Sequence, residues 1–405
     1  MQGLLLVLPV TLAVIGASVF TATASLMIQH FASLPRGEYL VQLVITMPAL
    51  WMLLFSPIAG WLADRYGRRR ILIVALVSYA LVGCLPFLIE NIYVILLTRC
   101  GVGISESVIM TVTTTMIGDY FTGRARERWL AAQTAVATLS ALVIIWAGGQ
   151  LGAAFGWHGP FLVYLYSLPL ALGIALLIWE PERNGTPDHT VADADEVRYH
   201  RLPMGRTLGI CAITVIASIL FYATVTQNAN ALASFGVHDP GVIGKLSSLA
   251  SLGVPIGTLL FWGIGRCHVG WLLAIEFALI GAGFVWMGKS ATPETYTLAA
   301  NVQQIGCGLI LPTVLVWATR GLAYEIRGRG TGAWQAAFAI GQFVSGVTLT
   351  FIGKQLGGLL PAFSTLGVIC LGAAVLSLAV KLSWGNGIPA GNRKASDSAS
   401  HRRSA

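Results

Sequence analysis

Apolar residues in this chain come in long runs broken by short polar gaps, not in alternation. Crossing a bilayer as a helix takes about 20 mostly apolar residues. Twelve stretches qualify, at about 4–28, 40–62, 71–89, 92–118, 129–153, 160–179, 207–232, 241–264, 270–288, 296–319, 332–352 and 359–383. They predict an all-α integral membrane protein with twelve transmembrane helices. The first run is too long, and too weakly flanked by positive charge, for a cleaved signal peptide. A single long charged segment interrupts the interior, WEPERNGTPDHTVADADEVRYHR, and it divides the spans six and six. The pattern therefore predicts an N-terminal six-helix bundle over 1–180, a cytoplasmic linker over 181–206 and a C-terminal six-helix bundle over 207–384. The polar end, 385–405, reads as a disordered basic cytoplasmic tail that can rest on anionic lipid.

The halves repeat at an offset near 200. VFTATAS (19–25) matches LFYATVT (220–226), and PIAGWLADRYGR (57–68) matches PIGTLLFWGIGR (255–266). Gly103 and Ser105 fall on Gly306 and Gly308, and Arg124 and Arg126 on Arg327 and Arg329. A duplicated six-span unit predicts two pseudo-symmetric bundles that rock about a midplane site. Charge is not copied: Asp64 falls on Trp262, Arg99 on Val302 and Glu106 on Leu309. The charged chemistry is concentrated in the first half.

Composition narrows the class. Of 405 residues, 56% are hydrophobic and 10% charged, against about a quarter charged in soluble proteins. Mean hydropathy is +0.75. The net charge of +8 would suggest nucleic acid, but its distribution argues against that partner. With the N-terminus in the cytoplasm, 20 of the 25 Lys and Arg fall in cytoplasmic segments. External loops keep Arg36, Lys245, Lys289 and Lys354, and Arg99 lies inside a span. This asymmetry is the positive-inside signature, with both termini cytoplasmic. The six cysteines are scattered without a CxxC, so neither a metal site nor a disulfide is implied. No cofactor motif or catalytic constellation stands out, and no loop is long enough for a soluble catalytic domain.

The turn between the second and third spans, GWLADRYGRRR, carries Asp64, Arg65 and Arg68 to Arg70 between apolar runs. Cytoplasmic anchoring explains the arginines but not the acid or the glycines. Gly60 permits close helix packing and Gly67 a tight turn. Gly60 to Arg69 resembles the signature loop of the major facilitator superfamily. That resemblance implies that Asp64 latches one conformation by docking on RGTGAW (329–334), with Gly60, Arg65, Gly67 and Arg68 completing the latch. RCGVGISES (99–107) resembles the family's fourth-helix motif. Arg99, Gly103 and Glu106 share one helix face. Arg99 and Glu106 lie about 10 Å apart along the axis, too far for a direct bond. Ionisable groups this deep are functional candidates, and a carboxyl whose surroundings change between two states can carry a proton. Glu106 with Arg99 is the candidate proton-coupling site. Glu276 in the ninth span is the other intramembrane acid, with a structural role expected.

GQFVSG (341–346), GWHGPFLVY (156–164) and the Trp-Glu-Pro-Glu end of the sixth span also resemble this superfamily, its bacterial efflux branch in particular. The resemblance covers nearly the whole chain and implies a monomer in the bacterial inner membrane. The antiporter branch usually carries G-P-x-x-G-G in the fifth helix; here IIWAGG (144–149) keeps only Gly148 and Gly149. By the same resemblance, the first, fourth, seventh and tenth spans line the cavity, with Thr23, Gln29, Gln227, Asn228, Asn230, Asn301 and Gln304 as candidate substrate contacts. Small-xxx-small spacing at Gly148 and Gly152, and at Gly253 and Gly257, allows close helix approach and is expected to pack the bundles together. The function this implies is secondary active transport of a small organic molecule, as proton-coupled efflux, with protons and lipid as the other partners. Import or facilitated passage of a sugar or organic acid is the alternative. A non-transporting membrane sensor or enzyme is the remote one.

Overall fold

The computed structural model describes residues 2–121, 123–180, 204–265, 267–319 and 324–383. Most of the predicted linker and the whole tail lie outside the described residues. The described chain is helical, and its order follows the predicted spans. The first half holds α1 (Gln2–Val7), α2 (Val10–Ser18), a 3-10 turn (Val19–Ala22), α3 (Ala24–His30), α4 (Gly37–Tyr66), α5 (Arg68–Cys84), α6 (Ile92–Tyr120), α7 (Gly123–Phe155), a 3-10 helix (Gly156–Tyr166) and α8 (Ser167–Leu177). The second half holds α9 (Met204–Ala233), α10 (Pro240–Ser251), α11 (Gly253–Ile264), α12 (Val269–Gly288), α13 (Pro293–Thr319), α14 (Tyr324–Gln355) and α15 (Leu359–Ser383).

Three predicted spans are not single helices. The first is broken at Pro9, which has no N–H to give to a preceding turn, and again at Val19–Ala22. There the Thr21 hydroxyl donates to the Ser18 carbonyl at 2.7 Å, competing with the backbone ladder. The sixth span opens as a 3-10 helix after Gly156, whose φ of +66° turns the chain. The eighth is interrupted at Leu252, where the Asn301 side chain donates to the Leu249 and Ala250 carbonyls at 3.0 and 3.2 Å.

Within each half the helices pack closely, α4 and α5 on α6, and α12 on α13 and α15. The halves meet where α4 packs on α14, α7 on α10, and α3 on α9. Gly149 faces Gly244 so closely that a Cβ on Gly149 would sit 2.7 Å from the Gly244 Cα. Ser248 donates to the Leu142 carbonyl at 2.9 Å, Gly346 lies against the Gln42 side chain, and Lys354 pairs with Glu38 at 2.9 Å. Three of these contacts cluster at the end of the molecule that carries Glu38. At the other end the Asp64 side chain is 68% exposed, and a Cβ on Gly332 would meet nothing within 4 Å. Among the described residues the structure is thus closed at the Glu38 end and parted at the Asp64 end.

Contact geometry corrects the expected inter-bundle glycines. Gly148 packs on Val19 of its own half. Gly253 and Gly257 pack on α13, against Asn301, Ile305 and Gly308, again within one half. Of the four, Gly152 faces across: a Cβ there would lie 3.0 Å from the Pro240 Cβ and would meet Thr23 as well. The reason is helical phase: Gly148 and Gly149 differ by about 100° around the axis, so neighbours in sequence face different partners.

Candidate functional site

Midway along α6, Glu106 is buried and its Oε2 has no hydrogen-bond partner. It abuts Gly16 of α2, where a Cβ would lie 2.8 Å from that oxygen. Ala17, next along α2, packs against Tyr222 and Val225 of α9 in the other half. The carboxyl therefore sits one helix away from the partner bundle, and Tyr222 is one of its electrostatic neighbours. Arg99 and Tyr164 are others.

Arg99 is fully buried and makes no recorded bond to Glu106. Its guanidinium donates to the Tyr164 hydroxyl at 2.8 Å and to the Gly83 carbonyl at 3.1 Å. Phe20, Phe161 and Tyr164 surround it, their ring centroids 5.8, 5.0 and 4.9 Å from the guanidinium carbon. A desolvated cation over several ring faces is favourable. The result ties the first, third, fourth and sixth spans together. Tyr79 adds a bond at the same level, donating to the Leu12 carbonyl at 2.6 Å. Arg99 thus ties the half together around Glu106 without bonding it directly, and is close enough to act on its charge.

The remaining expected cavity residues separate into three groups. Thr23, at the break in the first span, is buried with its hydroxyl unpartnered. Gln304 of α13 is buried with both amide atoms unpartnered, and Asn228 of α9 bonds Ser247 at 2.5 Å while its own carbonyl oxygen stays open. Those three keep free hydrogen-bonding capacity, which a buried group rarely leaves unused. Gln227 and Asn230 instead bond each other and α14: the Gln227 amide donates to the Gly346 carbonyl and the Thr350 hydroxyl at 3.2 and 3.0 Å. They lie at the closed Glu38 end, away from Glu106. Asn301 holds the α10–α11 break, and Gln29 is exposed at the end of α3.

The latch residues form a network at the parted end. Asp64 lies 3.4 Å from Arg68, which also bonds Asp119 of α6. Arg65 lies over the Trp61 and Tyr66 rings. Gly67 has φ +93°, a conformation that favours glycine, and a Cβ there would also meet Glu180 at 3.2 Å. Glu180 accepts from the backbone N–H groups of Arg68 and Arg69 at 2.6 and 3.0 Å, capping the first turn of α5 where an anion suits the helix dipole. A Cβ on Gly60 would meet Thr111 of its own half at 3.9 Å. Among the described residues the ion-pair partner of Asp64 is Arg68, and the expected receiver, 329–334, is described only in part. Of that segment the side chain of Arg329 lies outside the described residues.

Sequence reasoning missed Asp119, Glu180 and the Glu38–Lys354 pair. Each is a charge near a helix end, where a loop anchor gives the same pattern. Glu276 is buried on α12, and its Oε1 accepts from the Thr313 hydroxyl at 2.5 Å. It faces α13 of its own half, and its Oε2 has no hydrogen-bond partner. Among the described residues no group of three or more His, Cys, Asp or Glu could hold a metal.

Comparison with known proteins identifies the fold and the family. The Major Facilitator Superfamily profile matches residues 6–261. The quinolone resistance protein NorB of Staphylococcus aureus is 29% identical over 149 residues, 36% of this chain and 30% of that protein, so the match spans less than a third of the relative. Among solved structures, a bacterial homologue of the human lysosomal transporter Spinster, inward-facing and unoccupied, has a TM-score of 0.73 at 18% identity, over 93% of this chain and 94% of that one. A D-xylose–proton symporter has a TM-score of 0.77 at 14% identity, over 93% of this chain and 96% of that one. Identities this low establish the fold alone. With the family profile matched over more than half its length and the fold shared over nearly all of it, this chain belongs to the Major Facilitator Superfamily.

Proposed function

We propose that the protein is a secondary active transporter that moves a small organic molecule by alternating access, exporting it in exchange for protons. The observation that carries this reading is Glu106: a buried carboxyl with an unpartnered oxygen, midway through the molecule, one helix from the opposite bundle. Proton coupling needs a carboxyl whose surroundings differ between two states. Glu106 meets that need because the α2–α9 contact beside it must change when the halves rock. Thr23, Asn228 and Gln304 supply unpaired polar groups that can orient a substrate in an otherwise apolar cavity. The likeness to a quinolone resistance protein supports export.

The excess of Lys and Arg at the Asp64 end supports a cytoplasmic position for that end, and on this reading the protein sits in the bacterial inner membrane in an inward-facing state. In the outward-facing state Asp64 would leave Arg68 and dock on 329–334. Asp64→Asn should therefore leave this inward-facing state intact and lower the outward-facing population by about tenfold or more, the loss of a hydrogen bond to a charged group. Unchanged accessibility of the external cavity to a membrane-impermeant thiol reagent would remove the latch role. The whole reading is tested in inverted membrane vesicles with an acidified interior and a pH-sensitive dye. A substrate should dissipate the gradient on addition. If no compound in a broad panel does so while labelled metabolites still exchange, efflux is wrong and facilitated passage replaces it.

A further inference from the structure

The two halves are joined at the closed end by charge as well as by packing. Glu38 lies in the first turn of α4 and Lys354 in the last turn of α14. Each suits the dipole of its own helix. Dipoles explain why a charge stands at each terminus, but not why the two meet at 2.9 Å across the bundle interface. Lys354 is also 4.8 Å from the ring centroid of Tyr39, one residue beyond Glu38. The ion pairs of Arg68 with Asp64 and Asp119 lie within one half; this one crosses between halves.

Behind the pair is a cavity of about 330 Å³, lined by Ile28, Gln227, Asn230, Thr350 and the two charged residues. Its amides and hydroxyl bond each other, and its two charges bond each other. It is therefore the space that the pair closes over, and not a ready ligand site. Both side chains are about half exposed, at 46% and 42%. Pairs so exposed shift an equilibrium by at most about fivefold. That strength is suited to a contact that must release in every cycle.

We propose that Glu38 and Lys354, with Tyr39, are the positioning residues of an outer clasp that sets the balance between the closed and open forms of this end. The proposal rests on the alternating-access reading above. Removing the pair should favour the form open at the Glu38 end without touching Glu106 or the substrate contacts.

The test uses the full chain in lipid nanodiscs with spin labels at Ala32 and Ala291, which are exposed on loops of opposite halves at this end. Labels are introduced through an unnatural amino acid, so the six native cysteines stay. The native protein should show two distance populations. Glu38→Gln should raise the longer one about two- to fivefold, and Glu38→Lys, which opposes like charges, by more. The exchanged pair Glu38→Lys with Lys354→Glu should return it to the native ratio. Two populations that ignore all three variants would overturn the clasp and leave alternating access standing. One short distance in every sample would overturn both.

Discussion

Glu106→Gln is expected to abolish proton-driven transport, down to the level of empty vesicles, while substrate binding and substrate–substrate exchange survive. Glutamine keeps the shape and fits the slot beside Gly16, but it cannot gain or lose a proton. A transporter with no titrating group can still rock and exchange, yet it cannot draw on a gradient. The exchange rate of the variant should be flat across neutral pH, because glutamine at this position has no proton to exchange. The native rate should vary over that range. Arg99 is not expected to compensate, because Tyr164 and Gly83 already hold its guanidinium. Isothermal titration with a transported substrate separates the possibilities. Loss of binding in Glu106→Gln would make Glu106 a substrate contact or a structural group. Retained proton coupling would move the coupling site elsewhere, with Glu276 the first alternative.

Much of this architecture is legible in the sequence because the bilayer is a demanding solvent. Every backbone polar group in it must be satisfied within the helix, so spans appear as unbroken apolar runs. A charge inside such a run stands out, and both Arg99 and Glu106 were found that way. The Gly60–Arg69 loop was equally visible, because its glycines and acid have no reason to sit in a plain positive anchor. What sequence concealed was the choice of partner. Gly148 and Gly149 are adjacent and chemically identical, yet one packs on Val19 and the other crosses to Gly244. Spacing gives a small-residue stripe but not what lies opposite. Gln227 and Asn230 are expected, by resemblance, to face the substrate cavity, and they do line the small cavity beside Glu38 and Lys354. In the folded protein they bond across α9 and α14 at the closed end. Glu38 and Lys354 looked like ordinary helix ends, since a contact between residues so far apart in sequence leaves no local pattern.

The crossing at Gly149 should be the most sensitive backbone contact between the two halves among the described residues. Gly149→Val would place a branched side chain where even a Cβ lies 2.7 Å from both the Gly244 Cα and the Pro240 carbonyl oxygen. Both obstacles are backbone, so no rotamer change relieves the clash. Overpacking a close contact costs about 1–3 kcal/mol, and each 1.4 kcal/mol is about tenfold in a population. The cost falls on the form closed at the Glu38 end, because α7 and α10 meet so tightly only there. The variant should be held with that end open, and transport should fall about tenfold or more. Its thermal midpoint in detergent should stay within a few degrees of native, since the clash is relieved by opening rather than by unfolding. Gly209→Ala is the matched control, because a Cβ there meets nothing within 4 Å, and it should transport at the native rate. Native transport by Gly149→Val would show that the halves need not close along α7 and α10. A collapsed midpoint would assign Gly149 to folding and leave the moving interface to α4 and α14.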